Sequence, residues 1–257
     1  MTIHETAVVD PGAEIEEGVE IGPFAVVGDG VSIGAGTRLR HHSSVMGPTS
    51  IGGKNDIYPF ASIGMGPQDV GYRGEPTRLE IGCGNVFREF VTINRGTTKG
   101  GGLTTIADNC YFMAYSHVAH DSVIGSNVIM ANSAALGGHI IIGDYAILGG
   151  LVAVHQFARI GRLAMIGGVS GVSQDVPPFM IASGGRAELY GLNTVGLRRH
   201  GFSAGQIGQL KKAYRILFRS GMTLREAMAT VERECAGAAE VDELLDFIRS
   251  SKRGITR

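Results

Sequence analysis

The chain has 257 residues, of which 40 are glycine and none is tryptophan, and its formal net charge at pH 7 is -1. This near-neutral charge argues against a nucleic-acid-binding protein, and the glycine lacks the triplet period of collagen. The first residues show no charged segment followed by an apolar run, and no apolar stretch reaches the length of a membrane span. Since the three cysteines cannot all be paired in disulfides, we expect a reduced, cytoplasmic protein without stable membrane insertion.

An apolar residue returns at every sixth position from the N-terminus onward. The residues of this first series are Ile3, Val9, Ile15, Ile21, Val27, Ile33, Leu39, Val45, Ile51, Ile57 and Ile63. A period of six belongs to neither an α-helix nor an ordinary strand, and it predicts a solenoid. Three units, each one short strand and one turn, close a triangular coil of 18 residues whose apolar side chains stack inside.

The period is interrupted twice, near residues 65–79 and near residues 95–104, where glycine, proline and polar residues replace the apolar series. We expect two loops that leave the coil. Loops on a rigid scaffold are common places for ligand contacts, although insertions without function are also common in solenoids. Asp69 and Arg73 in the first loop are therefore candidate ligand contacts.

The period then runs without interruption up to Val172. Its residues are Ile106, Phe112, Val118, Ile124, Met130, Leu136, Ile142, Leu148, Val154, Ile160, Ile166 and Val172. The residue four positions after each of these is small or β-branched in almost every case, which favours a tight, repeating corner. Pro177 and Pro178 lack the N–H that a strand ladder needs, so they predict the end of the coil. We expect a parallel β-helix over residues 1–180 and a small helical domain over residues 181–257.

The C-terminal part has the signature of helices. We expect a linker to about Phe202 and then three helices. The first begins with the capping-box pair Ser203 and Gln206, and the second with the pair Thr223 and Glu226. The third has its apolar residues on one stripe.

The 18-residue period brings residues of successive coils into columns. The superposed residues are His120 with Gly138 and Gln156, Asp121 with His139, and Gly137 with His155. Histidine is suited to taking a proton from a hydroxyl near neutral pH. The carboxylate of Asp121 can orient His120 if the corner turns both side chains to the same side.

Four histidines fall within about two coils, namely His117, His120, His139 and His155. Besides general-base catalysis, two interpretations remain open. Single corner histidines often bond only to backbone carbonyl groups. Alternatively, three of the four imidazoles are ligands of a zinc ion with an open fourth position, as in a hydratase.

Several motifs spread over the whole chain resemble one family of acyltransferases. They are HVAHDSVIG, GGHIIIGD, AVHQFARIG, IGGVSGVSQDVPPF, GLRRHGF, GEPTRLEIG and GGGLT. They are similar to the UDP-N-acetylglucosamine 3-O-acyltransferase family of hexapeptide-repeat enzymes, which catalyse the first step of lipid A biosynthesis. The resemblance implies a left-handed parallel β-helix followed by a small C-terminal α-helical domain, a homotrimer with active sites between subunits, and neither a cofactor nor a metal ion.

The resemblance also implies a catalytic group. His120 would be the general base that deprotonates the sugar 3-hydroxyl, and Asp121 would orient it. The backbone N–H of Gly138 would stabilise the oxyanion that forms when this hydroxyl attacks an acyl thioester. Gly168 would belong to the ruler that sets acyl-chain length. Residues that match substrate-binding positions of the family are Asp69, His117, His139, His155, Gln156, Asn193, Arg199 and His200.

The implied acyl donor is a (3R)-hydroxyacyl group on acyl carrier protein, and the implied acceptor is a UDP-sugar. Basic residues that would attract the acidic carrier are Arg198, Arg199, Lys211, Lys212 and Arg215, although such runs are often only solvated faces. This chain has Gly71, Asn94 and His200 where the family often has lysine, histidine and arginine.

These departures leave the acceptor open between the 3-hydroxy sugar and its 3-amino analogue. The acyl-chain length is open as well. The other interpretations from the sequence are a coenzyme A-dependent hexapeptide acetyltransferase and a solenoid without catalytic activity.

Overall fold

A computed structural model describes all 257 residues. Short parallel strands form three faces of a triangular coil. Face A contains the strands Thr2–Ile3, Glu20–Ile21, Arg38–Leu39, Asp56–Ile57, Val86–Phe87, Tyr111–Phe112, Ile129–Met130, Ile147–Leu148, Met165–Ile166, Met180–Ser183 and Glu188–Leu192. Face B contains Val8–Val9, Val26–Val27, Ser44–Val45, Ser62–Met65, Thr92–Asn94, His117–Val118, Ala135–Leu136, Ala153–Val154 and Gly171–Val172. Face C contains Glu14–Ile15, Val31–Ile33, Thr49–Ile51, Arg78–Ile81, Leu103–Ile106, Val123–Ile124, Ile141–Ile142 and Arg159–Ile160.

The strands pair in the register that the period predicts. On face B, His117 pairs with Ala135, Ala135 with Ala153, and Ala153 with Gly171. Each step is one coil of 18 residues. The columns predicted from the sequence are therefore confirmed between the second loop and the C-terminal end of the coil.

The apolar series fills the inside of the coil. All twelve of its residues from Ile106 to Val172 are at most 4% exposed, and the small residues that follow them are buried at the corners. The first coil is different, because Ile3 is 40% exposed and no coil covers it from below. Burial of the apolar series is the main source of stability of the coil.

The three corners are named here by the faces that they join. At each corner one residue takes a positive φ angle: Tyr115 at the AB corner, Asp121 at the BC corner and Asn127 at the CA corner are examples. Non-glycine residues seldom adopt this conformation. At the AB corner, aromatic rings stack along the coil with neighbouring centroids 4.8–5.2 Å apart, in the order Phe24, His42, Phe60, Phe90 and Tyr115.

Two loops leave the coil between faces B and C. The first connects the strand Ser62–Met65 to the strand Arg78–Ile81. The second connects Thr92–Asn94 to Leu103–Ile106 and contains a single 3-10 turn, Thr98–Gly100. Both loops therefore project from the BC corner.

The coil does not end at Pro177, so that prediction is wrong by one strand. Pro178 lies directly above Gly161 at the CA corner, and Phe179 has the positive φ angle of a corner residue and donates its N–H to the carbonyl of Arg162. The strand Met180–Ser183 then pairs with face A. Prolines are tolerated here because no further coil lies above them. No carbonyl group is therefore left without the N–H donor that proline lacks.

The expected linker up to Phe202 is also wrong. The strand Glu188–Leu192 folds back antiparallel onto Met180–Ser183 and completes face A. A short helix α1, Thr194–Arg199, follows. Sequence reasoning missed this hairpin because its strands do not continue the period of six.

Three longer helices complete the chain: α2, Ala204–Arg219; α3, Leu224–Glu234; and α4, Ala239–Arg249. Both predicted capping boxes are present, at Ser203 with Gln206 and at Thr223 with Glu226. The guanidinium of Arg162 at the CA corner forms an ion pair of 2.7 Å with Glu243 of α4, which ties the helices to the coil. None of the helices combines the length and the apolar character that crossing a bilayer requires.

Candidate active site

The BC corner brings His120 and Asp121 together. Asp121 has a φ angle of 58°, so its side chain does not point to the opposite side of the chain from His120, as it would in a straight strand. The Nδ1 atom of His120 lies 2.7 Å from Asp121 Oδ2 and donates a hydrogen bond to it. The predicted pairing of the two residues is thus present, and it leaves Nε2 of His120 free to accept a proton.

The carboxylate of Asp121 is held from the other side by Thr97 in the second loop. The Thr97 N–H donates to Oδ1 at 2.8 Å, and the Thr97 hydroxyl donates to Oδ2 at 2.6 Å. The Asp121 side chain is only 1% exposed. Buried hydrogen bonds of this kind fix a carboxylate in place, so Asp121 fixes the tautomer and the orientation of His120.

Gly138 lies against the ring of His120, one coil further along. A Cβ atom at Gly138 would be 2.4 Å from Cε1 and 2.8 Å from Nε2 of His120, so only glycine leaves room for the ring. Gly138 is buried, and its N–H donates to no acceptor within the chain. A buried N–H without a partner is uncommon, and this one lies next to the candidate base.

The next coil contributes Gln156 and His155. A Cβ at Gly137 would lie 2.8 Å from the backbone nitrogen of Gln156, so Gln156 is above the glycine pair as the period predicts. Both side chains are exposed. The Nδ1 atom of His155 lies 3.1 Å from the carbonyl of Gln156, so this ring is bonded only to its local backbone.

The two other histidines have different surroundings. His139 lies edge-on to His120, with ring centroids 5.1 Å apart, and stacks on Phe157 at 4.4 Å. Burial lowers the pKa of His139, although the Asp121 carboxylate opposes this shift. His117 is on face B, where its Nδ1 lies 2.7 Å from the hydroxyl of Thr92, and burial lowers its pKa as well. Both imidazoles therefore favour the neutral form.

The geometry does not support the zinc interpretation. Ligand atoms of His120, Asp121 and His139 lie within 4.8 Å of one another. However, Nδ1 of His120 and Oδ2 of Asp121 are 2.7 Å apart, which is a hydrogen-bond distance, whereas two ligands around a tetrahedral zinc ion are separated by about 3.3 Å. The other two histidines bond elsewhere, so three imidazoles do not converge.

Asp69 is in the first loop above the BC corner. Its Oδ1 accepts a hydrogen bond of 2.7 Å from the N–H of Gly71. This bond lowers the pKa of Asp69, and the nearby charge of Lys99 lowers it further. Asp69 thus lies in the loop that leaves the corner of His120 and Asp121, next to Lys99 of the second loop. Arg73 of the same loop bonds to the carbonyls of Val70 and Tyr72 instead.

Three of the predicted substrate-binding residues lie at another corner of the same chain. Asn193 caps helix α1 by accepting from the N–H of Gly196, and it donates to the carbonyl of Leu163 at the CA corner. His200 packs on Tyr145 of the same corner at 4.5 Å, and Arg199 is exposed beside it. Within one chain these residues are not brought to His120.

Gly168 lies at the third corner, AB. Its φ angle is not positive, because the positive angle of this turn belongs to Val169. The φ angle of the bend therefore does not require a glycine at this position. A Cβ at Gly168 would lie 3.2 Å from the carbonyl oxygen of Gly150, so a side chain there requires this backbone group to move by a few tenths of an ångström.

The predicted basic patch is smaller than the sequence indicates. Lys212 forms an ion pair of 3.1 Å with Glu234 of α3. Arg198 and Lys211 line one surface cavity of about 200 Å³, together with Phe202 and Ile207. Of the predicted cations, Arg198 and Lys211 thus flank an apolar groove between α1 and α2.

Sequence reasoning missed two residues of the second loop, Thr97 and Lys99. Thr97 holds Asp121, and Lys99 lies beside Gly71 of the first loop. No period connects a loop residue to the coil, because loops do not follow the hexad. The only signal is the glycine run after Lys99, where Gly100 has no room for a side chain, since a Cβ there would lie 2.0 Å from Asp121 Cγ.

Comparison with known proteins shows the family of the chain. The family described as Udp N-acetylglucosamine O-acyltransferase, domain 2, matches residues 175–256, and the bacterial transferase hexapeptide family matches residues 12–47 and 103–138. The acyl-[acyl-carrier-protein]--UDP-N-acetylglucosamine O-acyltransferase of Thermodesulfovibrio yellowstonii is 55% identical over 99% of both chains. The chain belongs to the UDP-N-acetylglucosamine O-acyltransferase family. The enzyme of the same name from Syntrophobacter fumaroxidans is 53% identical over 100% of both chains.

Solved structures of the family have the same fold as this chain. The structure of LpxA from Acinetobacter baumannii is 42% identical, covers 100% of both chains and has a TM-score of 0.97. The fold class predicted from the sequence, a left-handed parallel β-helix followed by a small helical part, is confirmed by this family membership. This family membership replaces two other interpretations of the sequence, the coenzyme A-dependent acetyltransferase and the solenoid without catalytic activity.

Proposed function

We propose that His120, Asp121 and Gly138 catalyse the transfer of a (3R)-hydroxyacyl group from acyl carrier protein to the 3-hydroxyl of UDP-N-acetylglucosamine, the first step of lipid A biosynthesis. The observation that supports this best is the free N–H of buried Gly138, which lies against the ring of His120. A base and an oxyanion donor on one wall are what acyl transfer requires.

The reaction needs no covalent intermediate. Nε2 of His120 takes the proton of the sugar hydroxyl, and the oxygen attacks the thioester carbon. The tetrahedral oxyanion accepts a hydrogen bond from the Gly138 N–H. When the intermediate collapses, the C–S bond breaks and the imidazolium of His120 returns its proton to the thiolate of the carrier. Asp121 stabilises the imidazolium in between, because its carboxylate is fixed 2.7 Å from Nδ1.

An acyl-transfer assay tests this function. Purified protein is incubated with hydroxyacyl carrier protein and with either UDP-N-acetylglucosamine or its 3-amino analogue. We expect ester formation on the first acceptor, in agreement with the names of the curated relatives. Amide formation on the analogue alone would place the chain with the 3-amino sugar instead, and absence of transfer to either acceptor contradicts the proposal.

The carrier protein is proposed to bind at the groove between α1 and α2, where Arg198 and Lys211 flank Phe202. An acidic carrier is attracted by these cations, and such attraction weakens with salt. The KM for the acyl carrier protein should therefore rise with ionic strength. A KM that does not depend on salt contradicts docking at this patch.

A homotrimer is proposed because the candidate site residues lie at three different corners of one triangular coil. His120 is at the BC corner, His200 packs on the CA corner and Gly168 is at the AB corner. Corners of one prism cannot meet, but corners of neighbouring prisms can, and closed cyclic symmetry is the usual arrangement. Light scattering at assay concentrations should give the mass of three chains, whereas a monomer with full activity contradicts this arrangement.

Gly168 is proposed to lie on the floor of the groove for the acyl tail between subunits. Replacing it with methionine should keep the trimer and shift the preference to shorter hydroxyacyl donors, because the new side chain fills volume that the tail occupies. The shift is measured as the product ratio with donors of two lengths in one reaction. An unchanged ratio in a trimeric, folded variant contradicts the role of Gly168.

A further inference from the structure

The ammonium group of Lys99 lies beside Gly71, where the first and second loops meet. A Cβ atom at Gly71 would be 3.1 Å from Lys99 Nζ and 3.2 Å from Asp69 Oδ1. Gly71 has no side chain, so nothing from this residue covers the Lys99 ammonium. We propose that Lys99 binds the diphosphate of the nucleotide sugar and thereby sets the affinity for the acceptor substrate.

The position of Lys99 is fixed by the catalytic corner itself. Lys99 is in the 3-10 turn Thr98–Gly100, whose N-cap is Thr97. The Thr97 hydroxyl donates to Asp121 and accepts from the N–H of Gly100, so the turn is tied to the carboxylate that orients His120. Lys99 is therefore two residues from Thr97, which contacts Asp121 directly.

Lys99 has no direct ion-pair partner within the chain, although its charge acts on the carboxylate of Asp69. Its ammonium makes no ion pair within 4.0 Å, and its side chain is exposed. The carboxylate of Asp69, the acidic group beside it, accepts a hydrogen bond from the N–H of Gly71. An exposed ammonium on a fixed turn is a suitable phosphate ligand, since lysine binds phosphate as a compact point charge.

The chemistry of the acceptor calls for a cation near the base. In a UDP-sugar the diphosphate is attached to C1 of the same ring whose 3-hydroxyl is acylated. A cation that holds the diphosphate must therefore lie within one sugar ring of the base. The backbone of Lys99 lies beside the carboxylate that holds His120, because a Cβ atom at the next residue, Gly100, would be 2.0 Å from Asp121 Cγ. The inference rests on the proposed function, because it assigns a ligand to the same site.

Steady-state kinetics of Lys99→Ala test the assignment. At saturating hydroxyacyl carrier protein, we expect the KM for the UDP-sugar to rise about ten-fold, the range for one lost charged hydrogen bond at a partly exposed site, while kcat changes less than two-fold. Loss of uniform binding gives this pattern. Lys252→Ala removes an exposed cation far from the site and should leave both constants unchanged.

A relocated amine gives the decisive comparison. In the Lys99→Ala background, Gly71→Lys restores a lysine at a position whose Cβ would lie 3.1 Å from the removed ammonium, and it should recover most of the lost affinity for the UDP-sugar. Inhibition by UDP should weaken in Lys99→Ala and recover in the double variant. An active wild-type enzyme whose KM for the UDP-sugar is unchanged by Lys99→Ala overturns this inference but not the proposed function. A rise confined to the KM for the acyl carrier protein overturns it too, whereas an inactive wild type overturns the proposed function.

Discussion

Replacing His120 with alanine should lower kcat by roughly two to four decades, the range for losing a general base. The physical reason is that no other imidazole takes its place. His139 has no hydrogen bond to a fixed carboxylate, since its Nδ1 lies 3.8 Å from Asp121, and His117 bonds to Thr92. The measurement is single-turnover acyl transfer at saturating substrates.

The control for His120→Ala is His4→Ala, which removes an exposed histidine of the first coil that bonds only to Thr6. Circular dichroism and light scattering of both variants show whether the fold and the oligomer persist. If a folded His120→Ala variant keeps the wild-type rate, His120 is not the base.

Replacing Gly138 with alanine should lower kcat by about two decades, because a misplacement of about 1 Å at the reacting centre has an effect of this size. The added Cβ would be 2.4 Å from Cε1 and 3.0 Å from Nδ1 of His120, so the ring must move. Moving it breaks the 2.7 Å hydrogen bond to Asp121. The backbone N–H of residue 138 is retained, so the loss reports on the position of the base.

Two comparisons make the Gly138→Ala result interpretable. Gly205→Ala adds the same methyl group in the first turn of helix α2, where the new Cβ would make only an ordinary contact of 3.8 Å with the Ser203 hydroxyl, and it should leave kcat unchanged. In a His120→Ala background the ring is absent, so Gly138→Ala should not lower the melting temperature further. If Gly138→Ala lowers the melting temperature equally in the wild type and in His120→Ala, the new methyl group does not clash with the His120 ring.

Much of the fold and the centre of the site follow from the sequence because the coil is periodic. The six-residue series fixes which residues are buried, and the 18-residue step places Gly138 above His120 without any knowledge of the loops. The helix starts at Ser203 and Thr223 were predictable for a local reason, since a capping box involves only four neighbouring residues.

The rest could not be predicted because it depends on contacts without a period. The hydrogen bonds from Thr97 to Asp121 join a loop to a corner 24 residues later, and the contact of Lys99 with Gly71 joins two loops. The prolines at 177 and 178 indicated a break because their missing donors matter in a ladder. At the last corner of the coil no carbonyl group of a further coil needs these donors. The prolines therefore do not prevent the strand Met180–Ser183 from forming.

The first coil has an unpaired edge, while the opposite end is covered by the hairpin and the helices. The strands Thr2–Ile3, Val8–Val9 and Glu14–Ile15 pair on one side only, and Val8 is 63% exposed. In a solenoid each coil is stabilised only by its neighbours, so the free energy of local opening is lowest at this end. Thermal fraying therefore starts at the N-terminus and has to pass several complete coils before it reaches His120. The corner of His120 and Asp121 can thus keep its geometry while the first coil exchanges its amide protons with water.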